Sequence, residues 1–169
     1  MRLNKVAFIL LTIWLFAMSC KDNSKPIVIT PNDYHTSIDK VVDIMVHDIF
    51  SPPVASRIFA YPNIAAYEIM SQNNNAYNSL NGQIAHLKKI PKADKAKSVN
   101  YQLAALIAHI DVSKQLIFSE QSIEVFRDSL YQVWESINQS EFEDSKDYGL
   151  KVSGFIGKWM NGDNYNETR

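Results

Sequence analysis

The sequence predicts an all-α protein of about five helices in a bundle, preceded by an export signal. Two observations predict this class. Apolar residues recur at helical spacing in several segments after residue 34, and proline, serine or glycine stands near the ends of these segments. The 169 residues carry a formal net charge of −1, which gives no general attraction for nucleic acid. We therefore expect no nucleic-acid partner.

Residues 1–19 have the pattern of a signal peptide. Arg2 and Lys5 are positive, and the stretch from Val6 to Ala17 is apolar apart from Thr12. This run is shorter than the about 20 apolar residues that a membrane-spanning helix needs. It has instead the length and flanks of a signal-peptide core.

Cys20 is the single cysteine of the chain, so no intramolecular disulfide is possible. A lone cysteine directly after a signal core resembles the lipobox of bacterial lipoproteins, in which the thiol is lipidated. Ser19 fits that pattern, whereas Ala17 stands where leucine is usual. The resemblance implies membrane attachment through a lipid on Cys20, in the cell envelope, on the periplasmic side or at the cell surface. The other interpretation is a short uncleaved anchor with a buried thiol.

Residues 20–33 are predicted to be a tether, because they are mostly polar and include two prolines. The helical domain is then expected to span residues 34–169. Its first helix carries one apolar face, with Asp33 or Thr36 as candidate N-caps. That face consists of Ile38, Val41, Val42, Met45, Val46 and Ile49.

The first helix is predicted to end at residues 51–53, Ser-Pro-Pro, because a residue before proline avoids the α region. The second helix begins at these prolines and runs to about Ser71. Pro62 inside it predicts a kink. The second helix is rich in small residues and poor in polar ones, so we expect it at the centre of the bundle.

The third helix is predicted from about Lys95 to Phe118. Ser119 is a candidate cap of the fourth helix, whose apolar face consists of Ile123, Phe126, Leu130, Trp134 and Ile137. The pattern Ser-x-x-Glu at residues 140–143 predicts a capping box that opens the fifth helix. That helix has small residues four apart, at Gly149, Ser153 and Gly157, which would let another helix approach closely. Gly162 is its expected end.

The densest polar cluster near buried elements consists of Asp43, His47, Asp48 and Arg57. One interpretation is an acid/base group. We favour a structural one, in which hydrogen bonds tie the first two helices together, since no nucleophile or metal-ligand spacing accompanies the cluster. A buried arginine needs a carboxylate or carbonyl partner. Candidate partners of Arg57 are Asp43, Asp48 and Glu68.

No catalytic, cofactor-binding or metal-binding residue is assigned. The four histidines include no pair at the i, i+4 spacing that is typical of a metal site on a helix. The lysine-rich segment 88–97 is interpreted as a solvated loop and first helical turn rather than a patch for anionic lipid headgroups. The sequence has no glycine-rich phosphate loop and no serine-hydrolase elbow.

Three segments together resemble one family of secreted proteins. They read SPPVASR at residues 51–57, YPNIAAYE at residues 61–68 and GDNYNETR at residues 162–169. Similar blocks occur in the superfamily of vanadium-dependent haloperoxidases and type 2 phosphatidic-acid phosphatases, which includes lipoproteins. The resemblance covers about residues 34–169. It implies a helical bundle whose complete site binds vanadate or phosphate with a lysine, two arginines, a Ser-Gly-His turn and a final histidine.

None of those catalytic motifs can be placed on this sequence. No Arg-Pro pair occurs, and Ser153-Gly154 is followed by Phe155 rather than histidine. The resemblance therefore implies the N-terminal half of a larger helical fold, without the catalytic half. Vanadate or phosphate is expected only for an intact family member, and no cofactor is expected in this chain. Whether the chain takes part in an enzyme stays open.

We favour the interpretation that this is a shortened, N-terminal portion of a haloperoxidase- or phosphatase-like exported lipoprotein, without catalytic activity on its own. It predicts exposed apolar surface on the second and fifth helices. One alternative is a stand-alone helical binding lipoprotein, which should bury Trp134, Phe155 and Trp159. The other is one half of a split enzyme, in which a second chain, or the missing C-terminal half, supplies the site.

Overall fold

The computed structural model describes residues 24–169, so the predicted signal peptide and Cys20 lie outside the described residues. Within this range the chain forms five long helices and one short one, with no strand, and the predicted all-α class is confirmed. The helices are α1 (Pro31–His47), α2 (Pro52–Asn73), α3 (Tyr101–Lys114), α4 (Glu120–Ile137), α5 (Gln139–Asn161) and α6 (Tyr165–Thr168). No helix of the described part is both long and apolar enough to cross a bilayer.

The first helix begins three residues earlier than the predicted domain boundary. Thr30 is its N-cap, and a capping box joins the side chains and backbone N–H groups of Thr30 and Asp33. Asp33 is therefore the third helical residue rather than the cap, and Thr36 instead donates to the Asn32 carbonyl. Ile27, within the predicted tether, is already buried, because its N–H donates to Glu141 and its carbonyl accepts from Asn100.

The buried face of α1 differs from the predicted one. Its buried residues are Ser37, Val41, Ile44 and Met45, whereas Val46 and Ile49 are 74% and 87% exposed. Ile49 lies two residues beyond the end of α1, where its backbone is left-handed with a φ of 57°, so it does not follow the helical periodicity. Ser37 joins the buried face because its hydroxyl lies 3.0 Å from His109 Nδ1 in the core, and apolar periodicity does not predict such a polar contact.

The central helix is α3 rather than α2, contrary to the prediction. Ten of its fourteen residues are buried, from Leu103 to Ser113, and it packs mainly against α2 and α5. A helix that is apolar on every side has to be covered on every side. In contrast, α2 keeps Ser56, Phe59 and Ala60 at the surface.

The predicted row of small residues on α5 lies against α3. Gly149, Ser153 and Gly157 are all buried. A methyl group added at Gly149 would lie 2.7 Å from the Ala104 carbonyl oxygen and 3.1 Å from the Ile107 side chain. The α3 backbone thus occupies the space that a side chain at position 149 would need.

A long loop, residues 74–100, connects α2 to α3 and is fixed by a buried carboxylate. Glu68 is 1% exposed and accepts hydrogen bonds from the Ser79 hydroxyl and the Leu80 N–H. The loop ends at Asn100, whose side chain caps α3 by accepting from the Leu103 N–H. The third helix therefore begins six residues later than predicted at Lys95, whose segment remains in the loop.

The fifth helix is capped by Asn138 and not by the predicted Ser140. The Asn138 side-chain oxygen accepts from the Glu141 N–H. The helix ends at Gly162, as predicted.

Exposed apolar residues do not concentrate on α2 and α5, where the fragment interpretation places them. Trp134 is 5% exposed, and Phe155 and Trp159 are partly buried against the core. One large apolar residue is exposed on each of the two helices, Phe59 and Leu150. Most of the others lie elsewhere: Val46, Ile49, Phe118, Val125, Val133 and Ile137.

The packing of α5 predicts opposite effects for two glycines of the same helix. Gly149→Ala should lower the free energy of unfolding by about 1–3 kcal/mol, because the new methyl group has to displace the α3 backbone. Gly154→Ala is the matched control: nothing lies within 4 Å of its added methyl group, so the better helix former should stabilise the chain by about 0.5–1 kcal/mol. Urea unfolding followed by circular dichroism measures both. Equal effects would contradict the close approach of α3 and α5.

Candidate functional site

The predicted polar cluster is divided in the structure. His47 and Asp48 lie together at the end of α1, where His47 Nδ1 is 3.2 Å from Asp48 Oδ1. Their partner is Ser119, which precedes α4 and was predicted only as a cap. The Ser119 hydroxyl donates to Asp48 Oδ1 and lies 3.3 Å from His47 Nδ1. Asp43 is exposed and takes no part in these contacts.

Serine, histidine and aspartate thus meet here, but not in the arrangement of a hydrolase triad. A triad histidine contacts the serine through one ring nitrogen and the aspartate through the other, so that it can accept the serine proton. Here the same Nδ1 atom faces both partners, and the Ser119 hydroxyl donates its hydrogen bond directly to Asp48. This arrangement is not that of a triad, and its hydrogen bonds join the end of α1 to the start of α4.

Asp48 joins the end of α1 to the start of α4. Its Oδ2 atom accepts from the backbone N–H groups of Phe118 and Ser119, at 2.9 and 3.0 Å. Burial raises the pKa of this carboxyl group, but the hydrogen bonds from Ser119, His47 and Phe118 outweigh burial and hold the pKa below its usual value. The carboxylate is therefore the stable form of Asp48 in the folded chain.

Arg57 lies apart from this pair, and the prediction that Asp43, Asp48 or Glu68 is its partner is wrong. Its Nη1 atom donates to the Thr168 hydroxyl at 2.9 Å and lies 3.9 Å from Asp163 Oδ2. The guanidinium also stacks over the Tyr165 ring, 4.9 Å from its centre. These partners are more than 100 residues away in the sequence, which is why local spacing did not identify them.

Two tyrosines complete this group, which we call the Arg57 cluster: Arg57, Tyr61, Asp163, Tyr165 and Thr168. The Tyr61 hydroxyl donates to Asp163, and its ring packs edge-on against Tyr165. The Tyr165 hydroxyl donates to the Leu116 carbonyl at 2.6 Å. Burial raises the pKa of Tyr61, and the neighbouring Asp163 carboxylate raises it further. Both phenols thus remain neutral donors.

The Arg57 cluster brings together the three sequence segments that carry the family resemblance. Arg57 is the last residue of SPPVASR, and Tyr61 is the first of YPNIAAYE. The remaining members belong to GDNYNETR. The distinctive residues of all three segments therefore fix the short helix α6 against α2, and they hold no substrate in this arrangement.

A second buried polar group was missed by the sequence analysis. His109 is 2% exposed in the middle of α3, its ring lies 4.9 Å from that of Tyr34, and Ser37 is its hydrogen-bond partner. Burial lowers the pKa of His109 to about 4, so its ring is neutral at physiological pH. The only sequence signal was a histidine inside an apolar helix, which is most often a satisfied core residue.

An open cleft of about 540 Å³ lies beside this group, between α1, α2 and α3. Its walls are mainly apolar and include Tyr34, Tyr67 and Met70. His109 does not line the cleft, and Ser37 is 1% exposed. The buried serine and histidine are therefore out of reach of a molecule bound there.

A solved structure indicates the class of protein that this all-α bundle resembles. No family model and no curated protein sequence matches the chain. Among solved structures, it is similar to a crystal structure described as that of the first bacterial vanadium-dependent iodoperoxidase. The sequence identity is 59% and the TM-score 0.85. The match covers 87% of this chain and 36% of that chain.

The chain is thus a haloperoxidase-like helical portion that spans about a third of the matched enzyme. This match confirms the haloperoxidase-like resemblance that was inferred from the three motifs. The matched enzyme is described as vanadium-dependent, which raises the question of whether the residues present here fit a vanadate ion.

The described residues do not fit vanadate. An oxyanion of this kind needs several converging cations and N–H donors. Arg57 is engaged by Asp163 and Thr168, and Arg127 is paired with Asp128. Three clefts of the described chain each contain only one lysine or histidine: His35, Lys114 and His86. Within residues 24–169, no group of three histidine, cysteine or acidic side chains could hold a metal ion.

The contacts of Asp48 predict a pH-dependent loss of stability on mutation. Asp48→Ala should cost about 1–3 kcal/mol at pH 7, because it leaves the N–H groups of Phe118 and Ser119 without their acceptor. The folded-state pKa of Asp48 is lowered, so its contribution is present above the unfolded pKa of about 4 and is lost as pH falls through the folded pKa.

Urea unfolding of the two proteins at several pH values measures this difference. It should be constant near neutral pH and shrink under acid conditions. Asp43→Ala is the matched control on the same helix, and as an exposed substitution it should change stability by less than about 0.5 kcal/mol. An Asp48→Ala effect as small as the control would refute the bridging function of Asp48.

Proposed function

We propose that this chain is the helical scaffold of a haloperoxidase-like protein and that it has no catalytic activity on its own. The observation that carries the proposal is the 59% identity to an iodoperoxidase of which the chain spans 36%. At this level of identity the matched portions share more than a general fold. The match to a haloperoxidase also favours the haloperoxidase branch of the superfamily over the phosphatase branch.

The polar groups of the chain support a scaffolding function. Asp48 and Arg57 each connect segments that are distant in the sequence, and Glu68 ties α2 to the loop that follows it. His109 is neutral and enclosed in the core. Since the described residues do not fit vanadate, oxyanion binding is expected from polypeptide outside the matched portion. We assign no step of halide oxidation to residues of this chain.

The alternative of a stand-alone binding lipoprotein is supported by one observation. Trp134 is buried, and Phe155 and Trp159 are partly covered, as a self-contained module requires. The cleft of about 540 Å³ beside α1 would be its binding site. The split-enzyme alternative differs from the scaffold proposal only in that a second chain supplies the catalytic portion.

We further propose that the protein is an exported lipoprotein, attached to a membrane through Cys20. The support is the sequence pattern of residues 1–20 alone. Ile27, seven residues after Cys20, is held by Glu141 and Asn100. Seven residues span at most about 25 Å, so a lipid on Cys20 would keep the helical domain close to the bilayer surface.

A hybrid protein tests the scaffold function. The matched third of the iodoperoxidase is replaced by the corresponding residues of this chain. Because 59% of the matched residues are identical, the hybrid should fold, bind vanadate and oxidise iodide with hydrogen peroxide. This chain by itself should show no vanadate-dependent iodide oxidation.

The unmodified iodoperoxidase is the positive control for the assay. An unfolded hybrid would contradict the proposal that this chain can serve as the scaffold. Iodide oxidation by the isolated chain, dependent on added vanadate, would contradict the proposed inactivity.

Cys20→Ser tests the membrane attachment. The wild-type chain, expressed in a bacterium with radiolabelled palmitate, should incorporate the label and sediment with membranes. Cys20→Ser should incorporate no label and lose membrane retention, because the lipid acceptor thiol is gone. Ser19→Ala is the control, since it leaves the thiol in place. Unlabelled wild-type protein would overturn the lipoprotein proposal.

A further inference from the structure

The end of α1 has an unusual residue at a position where the backbone is left-handed. Asp48 ends the helix, the Ile49 N–H donates to the Val46 carbonyl, and the Phe50 N–H donates to the Met45 carbonyl. This is the hydrogen-bond pattern of a Schellman motif. Its left-handed residue is Ile49, with a φ of 57°.

Isoleucine is among the least suitable residues for this position. Glycine is usual there and asparagine is tolerated, whereas the branched Cβ of isoleucine clashes with the neighbouring backbone. The other non-glycine residues with positive φ in the described part are Asn164 and His86, both of types that adopt this conformation more readily. Backbone geometry thus provides no reason for an isoleucine at position 49.

Solvation gives no reason for it either. The Ile49 side chain is 87% exposed, the highest value among the large apolar residues of the described chain. A residue that is unfavourable for both backbone and solvent, in the chain as described, points to a contact outside it. Strained positions that persist in this way are found mainly at functional sites.

Two further exposed apolar residues lie near the end of α1. Val46 is 74% exposed on the last turn of α1, and Phe118 is 56% exposed. The Phe118 ring stacks on Phe50 at 4.7 Å, and its backbone N–H is held by Asp48. We call Val46, Ile49 and Phe118 the α1-end patch. Asp48 and Phe50 hold Phe118, so the fold fixes the position of this ring in the patch.

We propose that the α1-end patch is the docking surface for haloperoxidase-like polypeptide outside the matched portion. This inference rests on the proposed function. The matched enzyme extends well beyond the third that this chain spans, and we assign the patch to polypeptide that corresponds to that remainder. The Arg169 guanidinium lies 5.1 Å over the Phe118 ring, so polypeptide joined at Arg169 would start at the edge of the patch.

Ile49→Asn separates a docking function from a structural one. Asparagine adopts the left-handed conformation more readily, so the variant should raise the unfolding midpoint of this chain by a few degrees. In the iodoperoxidase hybrid the same substitution should lower the midpoint, since it removes an apolar contact with the remainder of the enzyme. A residue that serves only the fold of this chain cannot produce opposite signs in the two proteins.

Val125→Asn is the matched control. Val125 is an apolar residue of α4 that is 66% exposed, and valine and asparagine have similar helix propensities. It should leave the midpoints of the chain and of the hybrid unchanged. Thermal unfolding followed by circular dichroism measures all four variant proteins, and sedimentation velocity reports the oligomeric state of the isolated chain.

Each outcome decides the proposal. A higher midpoint in the chain and a lower one in the hybrid supports it. A higher or unchanged midpoint in both proteins overturns the docking surface and leaves the scaffold function intact. A wild-type chain that dimerises, and that Ile49→Asn makes monomeric, assigns the patch to a second copy instead. A wild-type hybrid that unfolds in two separate transitions refutes the scaffold function itself, and the docking surface with it.

Discussion

The rest of the fold depends on the close packing of α3 against α5. Because α3 is apolar on almost every side, it is stable only when other helices surround it. Gly149 lets α5 approach the α3 backbone, and buried Ser153 hydrogen-bonds to Asp111 and Gln115 across the same interface. With α5 in this position, α2 covers another side of α3. The Ser37–His109 hydrogen bond holds α1 against α3 as well.

The Arg57 cluster shows why distinctive motifs need not mark a reactive site. Arginine, tyrosine and aspartate in three separate segments are easily recognised as a set, yet here they fix a four-residue helix onto α2. An isolated helix of that length is not stable in water. Its position therefore depends on the guanidinium and on the buried Tyr165 hydroxyl, which bonds to Leu116. Each of these contacts needs a particular side chain, and this explains why the three segments are recognisable in the sequence.

The sequence predicted what local chemistry controls. The prolines at 52 and 53 start α2, Gly162 ends α5, and the small-residue row faces another helix, each for a reason that lies within a few residues. Long-range polar partners could not be predicted, because Arg57 and Thr168 are 111 residues apart. The same limit hid Ser37, which occupies the core through its hydrogen bond to the distant His109. Periodicity counted Ile49 as core for a different reason, because it did not show that α1 ends before this residue.

In the described chain, buried polar groups are almost all hydrogen-bonded, whereas several large apolar side chains are exposed to solvent. Among the described side chains, the Tyr131 hydroxyl is the one buried oxygen or nitrogen without a hydrogen-bond partner, so the buried polar groups are almost all engaged within the fold. Three of these exposed apolar side chains, Val46, Ile49 and Phe118, lie at one end of α1. These exposed apolar groups are the ones that the proposed docking surface uses. Scaffold and catalytic functions would then be separated between two portions of one fold, joined where α1 ends.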